Sequence, residues 1–149
     1  MNTLVARAVE ILLVEDSVAD VELMEEGLKE GKVWHSLNVA RDGVEAIKFL
    51  RRQGKYVDAP EPDIILLDLN MPKKDGREVL GEIKGDASLN HIPVVVLTTS
   101  QAEQDILRSY QLHANSYITK PVNLAQFFEV IRTLEDFWFT VVRLPKYKG

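Results

Sequence analysis

Cysteine is absent from this chain, which removes disulfides, thiolate nucleophiles and Cys-ligated zinc at once. No apolar run approaches the length of a membrane span, and Met1 to Arg7 lacks the long apolar core of a secretion signal. A cytoplasmic protein with no membrane partner is the expectation. Basic residues are in the minority: 18 Lys and Arg against 23 Asp and Glu give a net charge of −5. That balance argues against direct, non-specific binding to nucleic acid. There is no internal repeat and no low-complexity tract.

What is present is the composition of an ordinary globular domain. Of 149 residues, 46% are apolar and 28% charged, enough for one domain with a real core. One domain over 1–149 is expected, with its core at about 9–138 and an apolar, basic extension at 139–149. The stretch after 138 is too short for a further output domain.

The chain is organised around Ile64-Ile65-Leu66-Leu67-Asp68. Four large apolar residues in succession read as a strand buried on both faces, and they run straight into a carboxylate. Met71-Pro72 and Asp75-Gly76 are loop and turn signals. Asp68 is therefore expected at a strand end, where open α/β sheets place their sites.

Similar runs flank it. Ala8 to Val14 reads as a first strand ending in Glu15-Asp16. Asp16 or Ser17 can cap the helix that follows, which carries Val18, Val21, Met24 and Leu28 on one face and closes at Gly31. Trp34 to Ala40 reads as a second strand, and Asp42-Gly43 opens a helix through Val44, Ile47, Phe49 and Leu50. Gln53 to Asp63 reads as a loop. Gly76 to Lys84 predicts a short helix with Val79, Leu80 and Ile83 inward. Pro93 to Leu97 is another apolar strand, ending in Thr98, and a helix with Ile106, Leu107 and Tyr110 follows. Asn115 to Thr119 is a weaker fifth strand ending in Lys120-Pro121, and a last helix runs from about Asn123 to Trp138. Five strands alternating with five helices imply a parallel sheet covered on both faces.

Glu15, Asp16, Asp68, Thr98 and Lys120 all fall at one edge of such a sheet. Three carboxylates in one crevice repel one another and call for a cation. Hard oxygen donors without His or Cys select magnesium or a similar ion. Asp68 could then act as a nucleophile, since aspartates accept phosphoryl groups. Lys120 and Thr98 could stabilise charge on the transferred oxygens.

These elements together resemble the receiver domain of two-component response regulators. The matching pieces are Leu13-Val14-Glu15-Asp16, Ile64 to Asp68 with Met71-Pro72 and Asp75-Gly76, Pro93 to Thr98, and Tyr117-Ile118-Thr119-Lys120-Pro121. The wider pattern from Asp68 to Leu80 and the aromatic tail are similar to the small regulators paired with cyanobacterial phytochrome histidine kinases. The resemblance implies a flavodoxin-like, doubly wound α/β fold with five parallel strands in the order 2-1-3-4-5. It implies Asp68 as phosphoacceptor, and Mg2+ held by Asp16, Asp68 and the Asn70 backbone carbonyl, with Glu15 acting through metal-bound water. Lys120 would pair with the phosphoryl group, and Thr98 and Tyr117 would be the switch pair. The Lys120-Pro121 bond is implied to be cis. The implied partner is a histidine kinase of phytochrome type, with a downstream protein target that the sequence does not identify.

Two positions depart from the family pattern. Thr99 stands where a smaller residue is usual, and His113 where glycine is common. His35 and His91 suggest no metal site, and no histidine is placed as the chain's own phosphodonor. The competing readings are a metal-dependent phosphatase with an Asp nucleophile and a receiver-fold adaptor that works without phosphorylation. Such a phosphatase usually places a second acid shortly after the nucleophile as general acid. Here that position is Asn70, an amide.

The last helix predicts self-association. Leu124, Phe127, Ile131 and Leu134 form one stripe, which leaves Phe128 and Val130 outside it, followed by Phe137-Trp138-Phe139, Val141, Val142 and Leu144. An apolar cluster of that size fits a contact surface, the alternative being a tail that folds back over its own domain. The resemblance places a homodimer on the fourth helix, fifth strand, fifth helix and tail.

Overall fold

A computed structural model describes residues 8–30, 34–71, 74–98 and 116–120, with single positions at 102, 114 and 125. Five strands form one sheet: β1 (Val9–Val14), β2 (His35–Ala40), β3 (Ile64–Asp68), β4 (Val94–Thr98) and β5 (Ser116–Thr119). All four pairings are parallel, and the strand order is β2-β1-β3-β4-β5. The α/β class and the strand order are those expected. Three helices are described, α1 (Val18–Glu30), α2 (Gly43–Leu50) and α3 (Gly76–Gly85). The expected fourth and fifth helices, Gly31, Thr99, His113, Pro121 and the tail lie outside the described residues.

The apolar runs are central strands for a physical reason. Every residue of β3 and β4 is buried, as a strand covered on both faces requires. Side chains alternate between faces along each strand. Leu12, Val14, Ile65, Leu67, Val94 and Val96 pack in one cluster with residues of α2 and α3. Ile11, Leu13, Ile64, Leu66, Val95 and Ile118 pack in the other, with Val21, Met24 and Leu28 of α1. The edge strand β2 is only half-buried until Ala40, which explains its looser pattern.

Local signals set the helix ends. Asp42 caps α2, accepting from Glu45 N–H at 2.9 Å. Asp75 caps α3 in a reciprocal capping box with Glu78. Ser17 starts α1, its Oγ accepting from Asp20 N–H at 3.2 Å.

Some expected details change. Val18 is 52% exposed rather than inward. It lies in the first turn of α1, past the end of β1, where the sheet beneath has stopped. Val44 is half-buried, and Gly43 and Ala46 take up inward positions on α2 instead. The loop from 53 to 63 holds a short 3₁₀ turn at Gly54–Tyr56. Arg52 and Gly54 reverse the chain there with φ of 55° and 59°, values that cost little only for the glycine.

Candidate functional site

The order β2-β1-β3-β4-β5 puts the topological switch between β1 and β3, which opens a crevice at their carboxyl ends. Val14 pairs with Leu67, so the next residues, Glu15 and Asp68, come side by side. Glu15 N–H continues the ladder to the Ala40 carbonyl at 2.9 Å. On the other side Lys120 N–H bonds the Thr98 carbonyl at 2.7 Å, which anchors the residue that follows β5. Alternation along the strands assigns Glu15, Asp68 and Lys120 to the face covered by α1.

The side chains converge accordingly. Glu15 and Asp68 are 1% and 2% exposed, unusual for carboxylates. Asp16 is exposed beside them, and carboxylate oxygens of Glu15, Asp16 and Asp68 lie within 4.8 Å of one another. The Lys120 ammonium is 2.9 Å from Glu15 Oε1, 3.0 Å from Asp20 Oδ2 and 3.4 Å from Asp68 Oδ2. Asp68 Oδ1 accepts from Asn70 N–H at 3.2 Å, and Glu15 Oε2 from Ser17 N–H at 3.1 Å.

Electrostatics follow from this crowding. Burial pushes the Glu15 carboxyl up to about 7, and the neighbouring Asp68 adds to the rise; Lys120 and the Ser17 N–H oppose it. Burial acts to lower the Lys120 ammonium, yet Glu15, Asp20 and Asp68 outweigh it and hold its pKa above the ordinary lysine value. Glu15 Oε1 is buried, and the Lys120 ammonium at 2.9 Å is its charged neighbour. Three acids, Glu15, Asp20 and Asp68, thus share one ammonium, and Asp16 adds a fourth carboxylate beside them. Buried and crowded carboxylates with a single ammonium among them, in an all-oxygen set, fit a hard divalent cation.

Thr98 is fully buried at the end of β4. Alternation puts it on the opposite face, the face of Tyr117. Thr98 pairs with Thr119 and Val96 with Tyr117, so Thr98 and Tyr117 are diagonal neighbours. Tyr117 is half-buried, and its hydroxyl accepts from Ala114 N–H at 3.4 Å. Asn70 is exposed in the loop after β3.

The structure therefore brings Glu15, Asp16, Asp68 and Lys120 together, with Asn70 adjoining and Thr98 and Tyr117 behind. It adds Asp20, which the sequence reasoning missed. The available signal was its place one helical turn after Asp16, at the start of a helix that packs over the site.

Comparison with known proteins agrees with this geometry. Residues 11–132 match the response regulator receiver domain family. The response regulator Rcp1 of Synechocystis sp. is 54% identical over 135 residues, covering 91% of this chain and 92% of that protein. The Mn2+-bound form of Rcp1 superposes with a TM-score of 0.71 over 87% of this chain and 93% of that one. The phosphorylated cyanobacterial phytochrome response regulator RcpA is 53% identical, with a TM-score of 0.74 over 89% and 95% of the two chains. The bacteriophytochrome response regulator AtBRR is 46% identical, with a TM-score of 0.79 over 86% and 93%. The chain belongs to the response regulator receiver domain family.

Proposed function

We propose that this chain is a single-domain response regulator that accepts a phosphoryl group on Asp68 from a histidine kinase of phytochrome type. The observation that carries the proposal is the buried Asp68 carboxylate at the crevice, with Glu15 and Asp16 within 4.8 Å and the Lys120 ammonium at 3.4 Å. The phosphorylated state of RcpA and the phytochrome regulators among the similar structures support the kinase type. On this reading the whole of 1–149 is one receiver domain acting in the cytoplasm. Among the described residues no helix is long and apolar enough to cross a membrane.

Mg2+ would be held by Asp16, Asp68 and the Asn70 carbonyl, with Glu15 acting through bound water. When bound, it neutralises charge on the oxygens being transferred. An Asp68 carboxylate oxygen attacks the phosphorus of a phosphohistidine. The P–N bond breaks, its electron pair returns to the imidazole, and an acyl phosphate forms on Asp68. The Lys120 ammonium pairs with a phosphoryl oxygen, and Thr98, which rests on the opposite face, turns toward the phosphoryl group to donate its hydroxyl to another oxygen. Later attack of water on phosphorus releases inorganic phosphate and restores the carboxylate, so the chain supports its own dephosphorylation. Thr98 and Tyr117, on one face and diagonal in register, form the pair through which a new charge biases a two-state surface.

That surface serves protein contacts, with a homodimer through the fourth helix, β5, the fifth helix and the tail. The apolar excess from Phe128 to Leu144 supports this. Sedimentation at micromolar concentration tests it; a monomer with and without the phosphoryl group, unaffected by truncation after Glu135, contradicts it. The phosphoacceptor role is tested by phosphotransfer profiling. Label is expected to pass rapidly from an autophosphorylated phytochrome-type kinase to the chain. Preferential transfer from an unrelated kinase class contradicts the phytochrome assignment.

A further inference from the structure

We propose that Asp20 is a positioning residue for Lys120, holding its ammonium off Asp68 and thereby limiting the rate at which the phosphoryl group is accepted. The proposal rests on the phosphoacceptor reading given above.

The three ion pairs of Lys120 are unequal. Glu15 and Asp20 hold the ammonium at 2.9 and 3.0 Å, and Asp68 receives the longest contact at 3.4 Å. Asp20 comes from the first turn of α1, far in sequence from Lys120, and its placement is firm. Its N–H bonds Ser17 Oγ, and the Ser17 N–H bonds Glu15 Oε2. The turn that carries Asp20 is thus tied to the acid cluster itself.

The two stronger partners differ in what it costs to release Lys120. The Glu15 side chain is 1% exposed, so losing its cation leaves a charge in the interior. The Asp20 side chain is 39% exposed, so water replaces the ammonium there. When a phosphoryl group arrives on Asp68, Asp20 is the partner that Lys120 gives up. In the resting chain, the same contact must loosen before the ammonium can serve the transferred oxygens. Asp20 therefore competes with the transition state for one cation.

The experiment measures the rate of labelling by acetyl phosphate with saturating Mg2+ in the full chain, for Asp20→Asn and Asp20→Glu, in wild-type and Lys120→Ala backgrounds. Asp20→Asn is expected to label roughly fivefold faster, the scale of one partly solvated ion pair. Asp20→Glu, which keeps the charge, should stay nearer the wild-type rate. In Lys120→Ala the Asp20→Asn effect should vanish, because the partner it acts through is gone. A general repulsion between Asp20 and the anionic donor would instead persist in that background. Equal rates for wild type and Asp20→Asn, or the same fold-change in both backgrounds, would overturn the proposal. A wild-type chain that takes no label overturns the phosphoacceptor reading and this role with it.

Discussion

Lys120 and Glu15 form an ion pair of 2.9 Å in which the carboxylate is almost fully buried. The pair does not fully offset the burial, and Glu15 stays raised from its ordinary 4.5 to about 7.

This has a sign in stability. Between those two values the metal-free folded chain binds a proton that the unfolded chain does not, so stability falls as pH rises across that window. Glu15→Gln removes the penalty. In EDTA the variant should be more stable than wild type by on the order of 2–3 kcal/mol near pH 8, with the gain shrinking towards about pH 5. Urea unfolding at the two pH values checks this; a difference independent of pH contradicts it.

The second prediction concerns the backbone behind Asp68. A Cβ on Gly76 would lie 2.5 Å from Leu69 Cα and 2.6 Å from the Asp68 carbonyl oxygen. Both neighbours are main chain, so the end of β3 must shift. Gly76→Ala should cost roughly 1–3 kcal/mol by overpacking and weaken Mg2+ binding. Gly85→Ala, whose Cβ meets nothing within 4 Å, is the control and should change stability by no more than about 0.5 kcal/mol. Equal effects of the two would remove the role given to the close approach at Gly76.

Much of this architecture is legible in the residues, for reasons that can be named. Asp68 stands out because Ile64 to Leu67 have no polar face, which fixes a central strand and hence a crevice position. Lys120 and Thr98 follow from the same logic applied to β5 and β4. Asp20 was not legible, because its role depends on where the first turn of α1 docks relative to β5. Val18 misled for a related reason: helical spacing says which residues share a face, not where the sheet beneath that face ends. The 3₁₀ turn at Gly54–Tyr56 was hidden because Arg52 adopts a left-handed conformation that sequence signals reserve for glycine.

The third prediction concerns the cation. Asp16 is the exposed member of the acid cluster, and no lysine contact within 4.0 Å is seen for it among the described residues. Asp16→Asn should weaken Mg2+ binding at least about tenfold, because a direct charged ligand becomes a neutral one. It should leave the fold intact. A calorimetric Mg2+ titration indistinguishable from wild type would take Asp16 out of the ligand set.

The central claim is that Asp68 is the group that carries the phosphoryl. The most direct measurement is intact-mass and peptide analysis after incubation with acetyl phosphate and Mg2+. The account predicts one phosphoryl group per chain, on the peptide containing Asp68, sensitive to EDTA and abolished in Asp68→Asn. Undiminished labelling of Asp68→Asn, or a label mapped to another residue, would contradict it.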